Sequence, residues 1–557
     1  MTKEKKKKLQ SSFIKGSFIA TMGIVISKIL GIIYAIPFHA IVGEKGGALY
    51  GYAYSVYAIF LGISNVGIPI AVSKMISEYD ALEKYKSKEK VFRIANNILN
   101  VVGLITFIIL FVFAPYIASN IIGNIKGGNT INDIVFVIRV ISFSILIVPT
   151  LSIYRGYIQG HKNMTPTARS QVLEQVIRVS IIIFGGIIGS KIFHLPIRDV
   201  VAIALAGATI GALFSWIYLL FKVKEYRDND KLSYDLEKDE DIEDTKFIIK
   251  TIALYAAPFI FADVAKPLFN SIDTFFVVKT LVNDLGYNVK VAESVMGVIS
   301  TWGDKLVKII IAIGTGFIST LIPHLAVSFV KKDYTDINKK IIQSFEVLTL
   351  LTLPMTLGLA FLAEPAWTIF YGASKLGPKV FQFYVFTAYV TVLFTLVTTI
   401  LIALKEYKTF YIGVLAGLLF NYIFDRPLML LFGWLNISFI PAYYGAILST
   451  ILGNLLTVFI GLRLLKKEYH LNMYRMVQSF VRVLISCTIM LITLKLMKII
   501  VPLSGGRFYS LMIVFLYAIV GALVYGFTVY KMKMLKQAFG KENLVTIKNK
   551  VKKVLKK

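Results

Sequence analysis

Runs of about twenty apolar residues, separated by short polar breaks, recur along the whole chain, and each is long enough to cross the hydrocarbon core of a bilayer. Glycine and proline occur inside several runs, which membrane helices tolerate. The pattern predicts an all-α integral membrane protein with about fourteen transmembrane helices. They are predicted near residues 13–41, 50–73, 94–120, 132–156, 167–190, 197–222, 248–279, 293–329, 341–371, 380–404, 409–433, 440–465, 476–502 and 508–531.

The composition agrees with this class of protein. Hydrophobic residues make up 56% of the 557 residues and charged residues only 17%, whereas soluble domains contain about 25% charged residues. The first apolar run is too long for a cleavable signal peptide, so we expect it to remain as the first transmembrane helix. A single cysteine, Cys487, leaves no disulfide or cysteine-based zinc site within one chain.

The net charge of +29 is distributed unevenly among the polar breaks. Lysine and arginine concentrate in every second break, as at residues 74–93, 331–340 and 463–475, whereas residues 432–444 hold none. This asymmetry predicts a multi-pass protein of the cell membrane with both termini in the cytoplasm. A membrane protein with this charge pattern is expected to contact anionic lipids and not nucleic acid.

An acidic stretch divides the predicted helices into two sets of six. It is predicted to be a cytoplasmic linker, residues 224–247, between an N-terminal bundle, 1–223, and a C-terminal bundle, 248–466. Two further helices, 467–531, and a basic cytoplasmic tail, 532–557, follow.

The two sets echo each other in sequence. Ile68-Pro69 and Ile322-Pro323 open similar segments in helices 2 and 8, and Lys28 and Lys266 lie at comparable depths in helices 1 and 7. The echo predicts two pseudo-symmetric six-helix bundles around a central cavity, with two C-terminal helices outside them. Chance similarity between apolar segments is the alternative.

Charged residues recur at membrane depth, where each costs several kcal/mol unless it faces a partner or a cavity. A group of cations in a water-filled cavity would bind a multiply charged anion such as a pyrophosphate. Alternatively, Asp263 and Asp304 neutralise neighbouring lysines, or Lys305 and Lys308 extend to an interface. The candidate cations are Lys28, Lys266, Lys305 and Lys308, and Asp304 is a candidate binding residue beside them.

Arg155 lies beside the cytoplasmic turn after helix 4. It could contact an anionic head group, or it could anchor the helix at the cytoplasmic surface. Glu174 and Arg178 are spaced i, i+4 on helix 5, which predicts an ion pair within that helix.

A second group of polar residues could bind a hard cation such as Na⁺. Asn421 and Asp425 share one face of helix 11, and Asp273 on helix 7 could complete the ligand set. Pairing of Asp425 with Arg426 is the alternative. No enzyme signature is present, because the five histidines are scattered and the chain lacks a P-loop. We therefore expect no catalytic site and no cofactor apart from a candidate Na⁺.

Several segments resemble the multidrug/oligosaccharidyl-lipid/polysaccharide exporter superfamily. Within it, the chain resembles the polysaccharide biosynthesis proteins that include stage V sporulation protein B and the MurJ-type lipid II flippases. The segments are Ser27-Lys28-Ile29-Leu30-Gly31, Gly67-Ile68-Pro69, Arg155-Gly156 with Gln159-Gly160, Ser170-Gln171-Val172-Leu173-Glu174-Gln175 and Asp304-Lys305-Leu306.

The resemblance implies a cationic central cavity that receives the pyrophosphate-sugar head of a lipid-linked glycan, with helices 13 and 14 forming a groove for the lipid tail. MurJ-type proteins have arginine where Lys28 and Lys305 stand, and a further family arginine falls at Tyr34 here. The family's sodium site is an Asp, an Asn and Asp four residues apart, and a Thr. Asp273, Asn421, Asp425 and Thr450 fit that pattern.

The expected function is therefore translocation of an undecaprenyl-pyrophosphate-linked glycan, lipid II in the first place, from the inner to the outer leaflet by alternating access. The alternatives are another lipid-linked oligosaccharide, such as a teichoic, capsular or exopolysaccharide unit, and a cation-coupled multidrug exporter. Expected partners are the lipid-linked substrate, membrane lipids and the cell-wall synthesis machinery.

Overall fold

The computed structural model describes residues 26–534 except 66, 124, 233, 235–241 and 438, and all regular structure in these residues is helical. Helix α1 occupies residues 26–33. The following helices are α2 (Ala35–Asn65), α3 (Gly67–Ala81), α4 (Tyr85–Val112), α5 (Ala114–Ile122), α6 (Ile131–Ser142), α7 (Ser144–Gly160), α8 (Thr165–Ser180), α9 (Ile197–Lys231), α10 (Thr245–Lys279), α11 (Val289–Gly297), α12 (Gly303–Val330), α13 (Tyr334–Phe361), α14 (Ala363–Tyr371), α15 (Gly377–Tyr384), α16 (Phe386–Ala403), α17 (Tyr407–Leu435), α18 (Tyr444–Glu468), α19 (Met473–Ile500) and α20 (Arg507–Lys531).

Twelve helical segments within the described residues are long and apolar enough to span a membrane. The first of them, Ala35–Ala81, contains a break at Gly43, whose φ of 64° lies in the left-handed region that favours glycine. The first predicted run begins outside the described residues, and the eighth is divided by a π-helical turn, Val298–Trp302, between α11 and α12. The predicted class, an all-α integral membrane protein, is confirmed.

The chain forms two compact units, Met1–Thr301 and Trp302–Lys557. The sequence analysis instead predicts two repeated bundles separated by the linker 224–247. That division into bundles stays a prediction. The first eight residues of the predicted linker continue α9 to Lys231. The C-terminal tail lies outside the described residues from position 535 onward.

Helix α10 belongs to the first unit because glycines bring its backbone close to α2 and α3. A Cβ atom at Gly62 would lie 3.0 Å from the carbonyl oxygen of Asp263, and one at Gly67 would lie 2.7 Å from that of Ala256. Helix α7 approaches α3 in the same way at Gly156 and Gly160. Small residues permit such close packing of membrane helices, which explains the glycines of the Arg155–Gly160 segment.

In the second unit, Asp333 begins α13 as its N-cap. Its side chain accepts a hydrogen bond from the backbone N–H of Asp336 at 2.9 Å. This bond stabilises the charged carboxylate and holds the pKa of Asp333 below its usual range.

Candidate functional site

The lysines predicted to bind an anion lie on three helices in two units. In the first unit, Lys28 is exposed on α1, and Lys266 is half-buried on α10, one turn after Asp263. Helix α1 packs close to α8, since a Cβ atom at Gly31 would lie 3.3 Å from Nε2 of Gln175. That these lysines bind the same ligand as the lysines of the second unit stays a prediction.

In the second unit, α12 carries the other three predicted residues within its first two turns. Lys308 forms an ion pair with Asp304, with 2.5 Å between Nζ and Oδ2. Lys305 is half-buried between them, whereas Lys308 is exposed. The three side chains therefore leave one positive charge in excess. They directly follow the π-helical turn Val298–Trp302, a feature that is frequent at functional sites.

Arg155 is part of a half-buried ion network that joins α7, α8 and α9. Its guanidinium donates hydrogen bonds to Glu174 at 2.8 Å, and to the hydroxyl oxygens of Ser170 and Ser215, each at 3.1 Å. The other carboxylate oxygen of Glu174 accepts from Arg178 at 2.9 Å, which is the ion pair predicted within that helix. In this structure Arg155 holds three helices together, and its contact with a head group stays a prediction.

The predicted cation ligands of the second unit lie together between α17 and α18. The hydroxyl of Thr450 donates to the Asn421 side-chain oxygen at 3.3 Å, and Asn421 and Asp425 are fully buried. Pro427 follows on the same helix and has no N–H, so it cannot donate to the carbonyl oxygen of Ile423. The cluster therefore gathers several oxygen atoms at membrane depth, and oxygen is the ligand that hard cations prefer. Asp273 is buried in the first unit, and its participation stays a prediction.

A buried cation that the sequence analysis missed lies in the first unit. Lys88 has no exposed surface, and its Nζ lies 2.8 Å from carboxylate oxygens of both Asp80 and Asp230. The hydroxyl of Tyr157 donates to Asp230 at 2.7 Å, and Nε2 of His161 lies 3.3 Å from the same carboxylate. We refer to these five residues as the Lys88 cluster. It connects α3, α4, α7 and the end of α9.

The predicted linker also contacts the start of α4, close to this cluster. Lys84 pairs with Glu243 at 3.3 Å, and Lys90 donates to the Glu243 carbonyl oxygen at 2.8 Å. The basic stretch 74–93 is thus partly neutralised by carboxylates that are distant in sequence. The only signal for this in the sequence was the acidic character of residues 224–247.

The helices and their buried charges define a multi-pass membrane transporter, and comparison with known proteins gives its family. The chain belongs to the polysaccharide biosynthesis protein family, whose model matches residues 13–287, and to the multidrug/oligosaccharidyl-lipid/polysaccharide exporter superfamily. It is a member of a family of transporters and not of enzymes, as predicted.

Among its relatives is the lipid II flippase MurJ of Bacillus subtilis (strain 168), which is 30% identical over 96% of this chain and 98% of that protein. The fold is similar to a structure of lipid II flippase MurJ in an inward closed conformation, with a TM-score of 0.64 and 16% identity over 92% of this chain and 98% of that one. An inward-facing multidrug resistance transporter of the MATE family is also similar, with a TM-score of 0.62 and 11% identity over 81% of this chain and 99% of that one.

Proposed function

We propose that this protein is a flippase that moves a lipid-linked glycan, lipid II in the first place, from the inner to the outer leaflet of the cell membrane. The observation that carries the proposal is the 30% identity to the lipid II flippase of B. subtilis over almost the whole length of both chains. On this proposal the basic breaks and both termini face the cytoplasm.

Physical reasoning supports an anionic cargo. A diphosphate cannot enter hydrocarbon without replacing its hydration shell, and cations on membrane helices can supply that replacement. Lys28, Lys266 and Lys305 are the candidate cations, and the sequence predicts each of them within a membrane helix. Their positive charge would repel cationic drugs. We therefore favour a flippase over a multidrug exporter, although the fold is similar to that of a multidrug transporter.

Another lipid-linked oligosaccharide is the second candidate, because the family model describes polysaccharide biosynthesis proteins in general. The test is translocation in vesicles that contain the full-length protein. Lipid II, a prenyl-diphosphate teichoic acid precursor and a cationic dye are supplied separately, and the fraction reaching the opposite leaflet is measured. Translocation of lipid II alone supports the proposal. Equal translocation of both lipids would show that the protein transports more than one lipid-linked glycan. Translocation of the dye alone would overturn the proposal.

We also propose that Asn421, Asp425 and Thr450 bind Na⁺. Sodium at about ten times its Kd should stabilise the folded protein by about 1.4 kcal/mol. The protection is read from the reaction of a thiol reagent with Cys487, which is buried in the second unit and is the only cysteine of the chain. Asp425→Asn should abolish the sodium-dependent part of the protection.

Choline chloride at equal ionic strength controls for screening of charge by salt. Glu468→Gln is the matched variant, because it removes an exposed carboxylate from the end of α18 in the same unit. It should keep the sodium effect. Sodium protection that survives in Asp425→Asn would show that the cation does not bind at this cluster.

A further inference from the structure

A cavity of about 450 Å³ opens in the second unit where α13 and α19 end and α15 begins. Its rim carries Lys375, Lys379 and Lys498 with one carboxylate, Glu364, and its apolar side includes Phe361 and Leu503. The cavity lies at the ends of these helices that are opposite to the breaks 331–333 and 470–472. It contains none of the lysines predicted to bind the transported head group.

The three lysines at this rim are available to a ligand. All three are exposed, and none forms an ion pair with a carboxylate within the part of the chain that the structure describes. Tyr444 fixes the backbone beside them, since its hydroxyl donates to the carbonyl oxygen of Lys379 at 2.9 Å and its ring stacks on Phe383. Lys379 therefore extends from an ordered helix start, and the rim as a whole has a positive excess.

Large apolar side chains surround the same end of α19 and the start of α20. Ile499 and Ile500 are 81% and 83% exposed, and Phe508 is 75% exposed. Below them, Leu494, Leu503 and Tyr517 belong to a buried core that packs α19 and α20 together with Phe361. An exposed apolar surface of this kind on a membrane helix contacts lipid chains. Lys498, which lines the cavity, directly precedes Ile499 and Ile500, so the cations of the rim adjoin this apolar surface.

We propose that this cavity binds the phosphate of an anionic lipid whose chains lie along α19 and α20. The lysines contact the phosphate as point charges, and the exposed side chains of both helices contact the hydrocarbon. A soluble phosphate would use the lysines but gain nothing from the apolar surface. The proposal concerns a site for membrane lipid and does not depend on the identity of the transported cargo.

The test uses the full-length protein, depleted of lipid in detergent and titrated with phosphatidylglycerol. Reaction of Cys487 during heating reports protection, because this residue lies on α19 together with Lys498. Lys498→Gln should raise the phosphatidylglycerol concentration for half-protection about fivefold. The triple variant Lys375→Gln, Lys379→Gln, Lys498→Gln should raise it at least about tenfold. The corresponding triple arginine variant should restore it.

The matched control is Lys495→Gln, which removes an exposed lysine one turn earlier on the same helix but outside the cavity. It should leave the titration unchanged. An equal loss in Lys495→Gln, or equal protection by phosphatidylcholine, would overturn a site specific for an anionic head group. Equal protection by inorganic phosphate alone would overturn the assignment to lipid. Gel filtration shows whether each variant remains folded. If the triple variant aggregates, the titration of Lys498→Gln alone tests the site.

Discussion

Replacing Lys28 and Lys305 together by alanine is expected to reduce transport of a diphosphate-linked lipid at least about a hundredfold. A hydrogen bond to a charged group contributes about 1.5–3 kcal/mol, so losing one at each lysine removes about 3 kcal/mol or more. On α12 the ion pair between Lys308 and Asp304 is left unchanged in this variant. Transport of lipid II in vesicles measures the effect, and gel filtration shows whether the protein remains folded.

Two further variants separate a specific loss from a general one. The double arginine variant keeps both charges and should retain transport, as the arginines of the resembling family suggest. Lys495→Ala removes a lysine from a membrane helix outside the predicted cavity and should transport normally. If the double alanine variant transports lipid II at the native rate, Lys28 and Lys305 do not bind the diphosphate.

The class of fold could be predicted from the sequence because a backbone in hydrocarbon must satisfy its own hydrogen bonds. A run of twenty apolar residues must form a helix that satisfies its own hydrogen bonds, so the helices could be predicted from the apolar runs. The break at Gly43 falls between the first two predicted runs, 13–41 and 50–73, whereas the π-helical turn before α12 lies inside the eighth run and could not be predicted from it. The boundary at Thr301 likewise follows from close contacts at Gly62 and Gly67, which apolar periodicity does not encode.

The candidate sites could be predicted only where the partners are close in sequence or match a known pattern. The spacing of Asn421 and Asp425 indicated a shared helix face, and Thr450 indeed donates to Asn421. Asp304 could have contacted either a neighbouring lysine or the ligand, and the sequence did not decide between the two. In the structure Asp304 forms an ion pair with Lys308. Lys88 was missed because a lysine in a basic stretch is usually solvated, and its partner Asp230 lies 142 residues away.

Replacing Lys88 by methionine is expected to destabilise the first unit by about 3–5 kcal/mol. Removing one partner from a buried ion pair leaves the others charged without compensation. Here two carboxylates, Asp80 and Asp230, would remain beside an apolar side chain. Hydrogen exchange of the amides in Tyr85–Val112, measured by mass spectrometry in detergent, should become faster in the variant.

A second ion pair of this chain has the same nitrogen–oxygen distance but is more exposed, so it serves as the control. Lys222 pairs with Glu225 on α9 at 2.8 Å, the same distance as between Lys88 and Asp230, but its side chain is 39% exposed where that of Lys88 is 0% exposed. Lys222→Met should therefore speed hydrogen exchange much less than Lys88→Met does, because water screens the exposed pair. Adding Asp230→Asn to Lys88→Met removes one uncompensated charge and should recover part of the lost stability. If both methionine variants exchange equally fast, burial of Lys88 does not set its contribution. If Asp230→Asn recovers nothing, the loss arises from packing of the lysine stem and not from its charge.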